Sequence, residues 1–314
     1  MNKLHFKSWC GGTCGIGNNL MGLQIAVILS YLTKRKLYFY MHPGGNGIHH
    51  CSGTQIYDLF ECENIEFVFS DVPSCYKFSV SDDFAYCYNE KPNSEFLNGR
   101  KWIDFSEIHH DEICTENELL AYYSYKIFFE RERKDALDYM RHVLRPKRHL
   151  ESLAVQISEV LDCSNAVHLR RGDFLEFTGF ILKDLNDYQL KVKKVISEYF
   201  SNEKVLILSN EPDENFFDFL NCEFIFLDKL IEKLFPHLTL CEIAVVSMLV
   251  AANVNKFVGT YGSTFSGIIH QIRRLNGISD PFLYIDQFIT SRHYSWNELR
   301  HPMDFRREFE NCGY

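Results

Sequence analysis

Short apolar runs alternate along this chain with longer stretches in which apolar residues return every three or four positions. Leu37-Tyr38-Phe39-Tyr40, Ala166-Val167-His168-Leu169, Lys204 to Ser209, Glu223 to Leu227 and Lys256 to Thr260 have the length and make-up of buried strands. Helical spacing runs over residues 20–32, 116–144, 149–161, 188–200 and 240–253, and from the serines after Gly262 through Arg274. Strand and helix in alternation predict an α/β fold with doubly wound parallel sheets. Residues 56–115 are broken by Pro, Asn, Ser and Asp into short strands and loops of an α/β domain. Arg145-Pro146-Lys147 is the best linker, because proline disfavours helix in the residue before it. The expected domains are residues 1–146 and 147–314, with the last helix a candidate to pack back on the first.

Composition narrows this picture. A chain of 314 residues that is 46% hydrophobic and 15% aromatic can bury two ordinary cores. The net charge of -9, with no basic run, argues against nucleic acid as a partner, since counterion release needs clustered cations. A small anion met by a few placed arginines remains compatible. The opening residues do not form a signal peptide, no apolar run of about 18 residues predicts a transmembrane segment, and there is no Asn-x-Ser/Thr sequon. Eleven irregularly spaced cysteines are expected to be mostly buried free thiols of a reducing compartment, which makes the expected location cytoplasmic.

The chemistry gathers where the apolar run Ala166 to Leu169 breaks into Arg170-Arg171-Gly172-Asp173. Ligands of open α/β sheets bind beyond the carboxyl ends of the strands. A guanidinium is charged at any working pH and its planar fork matches two phosphate oxygens. A diphosphate or phosphorylated donor fits this stretch, and so does a structural ion-pair network of Arg170, Arg171 and Asp173. A glycine-dense turn, Cys10 to Asn19, precedes the first long helix, where glycines allow close approach and a helix start offers N–H groups to an anion. It does not fit Gly-x-Gly-x-x-Gly, and a plain strand-to-helix turn explains it equally. Ser263 or Thr264 is a natural N-cap at a second helix start of the same kind. A zinc site from Cys10, Cys14, His49, His50 and Cys51 is disfavoured by its loose, crowded spacing, and His109-His110 suits a solvated loop.

Three stretches in order, Gly17-Asn18, His168-Leu169-Arg170-Arg171-Gly172-Asp173-Phe174, and Gly259-Thr260 with Ser263 to Ser266 and Arg273-Arg274, resemble the GDP-fucose-dependent fucosyltransferase superfamily. The protein O-fucosyltransferases are the nearest members, and the α1,2- and α1,6-fucosyltransferases are more distant. The resemblance implies a GT-B fold of two Rossmann-like domains facing a central cleft. It also implies an inverting glycosyltransferase that moves fucose from GDP-fucose to a glycan or protein hydroxyl. Arg170 would contact the β-phosphate of the donor. His168, Arg171, Ser263, Thr264, Phe265 and Ser266 would hold the nucleotide and pyrophosphate, while Gly15, Gly17 and Asn18 would face the donor sugar and acceptor. Two positions depart from the family: Ser247 stands where many members carry a nucleotide-binding aspartate, with Glu242 the nearest acid, and Ile16 where some carry a catalytic glutamate.

An arginine and helix N–H groups can stabilise a departing diphosphate without a cation, and the chain contains no Asp-x-Asp. No cofactor and no metal are therefore expected. Asp173, counted here with Arg170 as a catalytic candidate, and Glu176 could orient Arg171 or accept a proton, or Asp173 could serve a structural salt bridge. Two alternatives stay open: a same-fold transferase using another nucleotide sugar, which Ser247 favours, and a non-catalytic nucleotide-sugar-binding protein, which the unassigned base favours.

Overall fold

The computed structural model describes residues 2–7, 15–41, 47–48, 51, 53–78, 84–87, 101–115, 130–171, 185–211, 213–260, 263–278 and 285. The chain divides into two compact units, Met1–Lys147 with Phe305–Tyr314, and Arg148–Asp304. Both are mixed α/β and both are built on a parallel sheet.

The first unit contains β1 (Lys3–Lys7), α1 (Ile16–Thr33), β2 (Lys36–Tyr40), α2 (Ile56–Leu59), β3 (Phe60–Cys62) and β4 (Ile65–Val68). It continues with β5 (Tyr76–Phe78), β6 (Phe84–Cys87), β7 (Lys101–Asp104), β8 (Glu112–Thr115), α3 (Glu130–Val143) and β9 (Leu144–Pro146). Five parallel strands lie in the order β4-β2-β1-β8-β5. In register, Leu4 meets Leu37 and Phe6 meets Phe39, so every second residue forms an apolar layer. α1 is long and apolar enough to cross a membrane by composition, but 89% of it is buried, which makes it the core helix of this unit. It ends on Lys34 in the left-handed region at φ 54°. There the buried Arg35 gathers the carbonyls of Thr33, Ile108 and His110 at 2.8, 3.0 and 2.8 Å.

Two expectations meet differences here. The helix predicted over 116–144 is seen from Glu130 to Val143, and residues 116–129 lie outside the described set. The linker at 145–147 overlaps a short strand, β9, paired antiparallel with β3, because Arg145 and Lys147 also reach Glu63 and Glu61. The proline sits at the strand end, where a missing N–H is tolerated. Among the described cysteines, Cys62, Cys75, Cys114, Cys163 and Cys222 are free, as expected, whereas Cys51 and Cys241 are disulfide-bonded.

The second unit contains α4 (Arg148–Val160), β10 (Asn165–Leu169), α5 (Leu185–Lys194), β11 (Val205–Ser209), β12 (Phe224–Phe226), α6 (Leu227–Leu234), α7 (Leu240–Asn253), β13 (Lys256–Val258) and α8 (Thr264–Leu275). Its four parallel strands run β12-β11-β10-β13, so β10 is central. Val167, Leu169, Val205 and Ile207 face one side, against Tyr188, Val192, Ile196, Phe200 and Phe217. Their neighbours Ala166 and His168 face the other, where α7 crosses β10 and also packs on α4, α6 and α8.

α7 is apolar throughout because it is surrounded, so both of its ends need partners from outside the helix. At its start, Thr239 and Glu242 form a capping box: Glu242 accepts the Thr239 N–H at 2.8 Å, and Thr239 Oγ1 accepts the Glu242 N–H at 3.3 Å. Glu242 is thereby a capping residue. At its end, the fully buried Arg273 donates to Ala252, Val254 and Asn255 carbonyls at 3.2, 2.6 and 3.0 Å. Replacing Arg273 with Ala takes this donor from the buried Ala252 and Val254 carbonyls. We expect a loss of about 3 kcal/mol of stability, read as a lower urea midpoint at unchanged m-value.

Candidate functional site

The carboxyl edge of the second sheet is where its strands separate. The β10–β13 ladder ends at Val167 and Val258. Beyond it, the Thr260 side chain spans the widening gap: Oγ1 donates to the His168 carbonyl at 2.7 Å and accepts the Arg170 N–H at 3.0 Å. On the other flank, Ser209 Oγ donates to the Leu169 carbonyl at 2.6 Å and Asn210 Oδ1 accepts the Arg171 N–H at 2.8 Å. Side chains thus continue the hydrogen bonding of β10 after its neighbours have parted.

The two arginines diverge at this point. Arg171 is 8% exposed and donates from Nε to Glu211 at 2.8 Å, with its guanidinium 4.1 Å from the Phe216 ring centroid and 5.1 Å from that of Tyr188. It is a buried, ion-paired residue packed on aromatic faces. Arg170 is half-buried at the sheet edge. Asp173 and Glu176 lie outside the described residues, and Arg171 takes its carboxylate from Glu211.

α8 begins beside this edge. Ser263 donates its N–H to the Thr260 carbonyl at 3.2 Å, and its own carbonyl takes the first helical bond from Gly267 at 3.0 Å. Ser263 therefore holds the N-cap position, yet its hydroxyl, on a residue 1% exposed, has no hydrogen-bond partner among the described residues. The first-turn N–H groups of Thr264, Phe265 and Ser266 have no carbonyl within the helix to bond, as at any helix start. A buried hydroxyl without a partner carries a desolvation cost of about 1–3 kcal/mol. Ser266 is fully buried, and its Oγ accepts the Thr260 N–H at 2.9 Å and sits 2.7 Å from His168 Nδ1. The His168 ring also lies 4.9 Å from Phe265. Burial, with the Arg170 charge nearby, pulls the His168 pKa down to about 3, so the ring is neutral across the physiological range.

Of the residues singled out by sequence, Arg170, Ser263 and Thr264 are brought to one edge of the sheet. His168, Ser266 and Arg171 form the buried framework behind it. Gly15, Gly17 and Asn18 belong to the other unit, at the start of α1. Gly15 is its N-cap, where an added Cβ would meet nothing within 4 Å, and the Gly15 carbonyl takes the Asn19 N–H at 3.2 Å. Asn18 carries a buried amide oxygen with no partner among the described residues. Cys10, Cys14, His49 and His50 lie outside the described residues.

Sequence reasoning missed Asn210, Glu211 and Asp228. The first two follow β11 directly, and a polar pair at the end of a strand next to the arginine strand was the available signal. Asp228 sits in the first turn of α6, and its Oδ1 accepts a short hydrogen bond from Ser247 Oγ of α7. Ser247, where the resemblance led one to look for an acid, is fully buried. Burial, opposed only by this hydrogen bond, pushes the Asp228 pKa up to about 6.

No protein-family profile and no curated sequence matches the chain. Among solved structures it is similar to the fucosyltransferase NodZ from Bradyrhizobium, at 11% identity over 88% of this chain and 93% of that chain, TM-score 0.47. It is also similar to POFUT1 in complex with GDP-fucose, at 13% identity over 90% and 98%, TM-score 0.49. A third is a mutant FUT1 of Arabidopsis thaliana in complex with GDP, at 11% identity over 87% and 69%, TM-score 0.45.

Proposed function

We propose that this chain is a glycosyltransferase that takes fucose from GDP-fucose and transfers it, with inversion and without a metal, to a hydroxyl of a glycan or protein. The observation that carries the reading is the start of α8. A buried Ser263 hydroxyl with no partner among the described residues, and first-turn N–H groups, stand next to the strand end that presents Arg170. Such a group of donors suits a diphosphate. The ordered motifs around Gly17-Asn18, Arg170 and Ser263 supply the choice of sugar nucleotide.

In this reading the acceptor hydroxyl oxygen attacks the anomeric carbon as the bond from that carbon to the β-phosphate oxygen breaks, and the hydroxyl proton passes to water or to the departing diphosphate. The electron pair leaves on the diphosphate, and a single displacement inverts the centre. Arg170 and the α8 amides hold the growing negative charge, which is the largest electrostatic task of the reaction. His168, neutral and hydrogen-bonded to Ser266, fixes where α8 begins without adding charge. Arg171 with Glu211 braces the chain that presents Arg170. The two-domain GT-B arrangement is part of this proposal, with the α1 start, Gly15, Gly17 and Asn18, serving the acceptor side.

The test is binding and turnover with GDP, GDP-fucose and UDP sugars. A bound ligand at 100 times its dissociation constant should add roughly 2.7 kcal/mol of stability. We expect GDP and GDP-fucose to stabilise the protein and UDP sugars not to; stabilisation by UDP sugars alone would sink the fucose assignment. Arg170→Ala should lower turnover by about 10²–10³. Arg171→Ala should instead lower stability by roughly 3 kcal/mol, because it strands Glu211. EDTA should leave turnover unchanged, and a loss restored by Mn²⁺ would overturn the metal-free mechanism.

A further inference from the structure

Thr260 stands between the two elements assigned to the diphosphate, and its polar atoms are divided between them. Its backbone serves α8: the Thr260 carbonyl accepts the Ser263 N–H at 3.2 Å, and its N–H donates to Ser266 Oγ at 2.9 Å. Its side chain serves β10: Oγ1 donates to the His168 carbonyl at 2.7 Å and accepts the Arg170 N–H at 3.0 Å. The residue is buried, so these bonds are shielded from water. Donating and accepting at once through one short side chain is a property of a hydroxyl. Branching at Cβ restricts the rotamer, which makes the hydroxyl a rigid strut. Ser209 and Asn210, on the other flank, hold the Leu169 carbonyl and the Arg171 N–H, which are different atoms of the same strand end. The bond to the Arg170 N–H therefore sets the backbone that carries this guanidinium, and at a reacting group a displacement of about 1 Å can cost roughly 10²-fold in rate.

We propose that Thr260 is a positioning residue for the donor: its hydroxyl fixes Arg170 relative to the α8 start, so that the arginine and the helix amides meet one diphosphate. This rests on the donor reading above and adds the residue that joins its two halves. In this role Thr260 touches no substrate and acts through Arg170.

The contact assigned to Arg170 is with the β-phosphate, which GDP carries and GMP lacks. The contrast between these two nucleotides therefore reads the placement of Arg170 separately from the soundness of the fold. The experiment is calorimetric titration with GDP and GMP, run beside the release of GDP from GDP-fucose with water as the acceptor. Thr260→Val keeps the shape and removes both side-chain hydrogen bonds. It should bind GDP about tenfold more weakly and release it from GDP-fucose about tenfold more slowly, while GMP affinity stays within about twofold of wild type. Thr260→Ser keeps the hydroxyl and should recover most of both losses. In an Arg170→Ala background no guanidinium is left to place, and Thr260→Val should then change GDP affinity by less than about twofold. Thr260→Ala enters the same comparison if Thr260→Val does not fold. Equal weakening of GDP and GMP, or a loss as large in the Arg170→Ala background as in wild type, makes Thr260 a structural residue alone and overturns the assignment while leaving the donor reading intact. A wild type that binds GDP no better than GMP has no β-phosphate contact to position and overturns it too. If wild type binds neither nucleotide, the donor reading and this inference fall together.

Discussion

The second unit depends on how the end of its central strand is held once the sheet around it has opened. A parallel ladder satisfies backbone groups only while neighbours run alongside, and β13 leaves β10 after Val167. An open carbonyl on His168 and an open N–H on Arg170 would each cost free energy at the buried edge. Thr260 closes both with one hydroxyl, and Ser266 then closes the Thr260 N–H and reaches His168. The strands part there, and side chains bridge the parting. The start of α8 is fixed by the same atoms.

That arrangement explains why adjacent arginines behave so differently. A strand alternates its side chains, so at its end one of two neighbours must face the interior unless the backbone turns sharply. Arg171 faces inward, and its charge is tolerated there because Glu211 pairs with it and Phe216 and Tyr188 offer their ring faces. Arg170 remains at the edge, with its backbone held by Thr260. The buried pair thus supports the backbone that carries the half-buried Arg170.

The strands of the second unit were legible because a strand buried on both faces must be a short apolar run, and β10, β11, β12 and β13 all are. The arginine pair stood out as two cations ending such a run, which left open an anion ligand or a structural ion pair, and Arg171 takes the second course with Glu211. What the sequence did not reveal is how side chains divide the work. Ser263 is an N-cap in position but makes no capping bond, and Ser266, three residues on, is a strut to His168. One-dimensional spacing cannot separate the two, since both hydroxyls belong to the same helical turn. Asp228 was hidden for a related reason: within α6 it looks like any polar residue of a first turn, and its partner Ser247 lies nineteen residues away on another helix. The strands β3, β6, β7 and β9 are three or four residues long and pair only with one another, too short to leave a period in the sequence.

The edge of this sheet carries opposite demands at two places. The start of α8 presents donors, with a hydroxyl and N–H groups and an arginine beside them, and it favours a ligand that accepts hydrogen bonds and bears negative charge. The first turn of α6 presents a carboxylate with no cation beside it among the described residues, a charge that the helix start favours and burial opposes. The two helix starts on this sheet edge thus differ in kind, one offering donors and the other an acceptor.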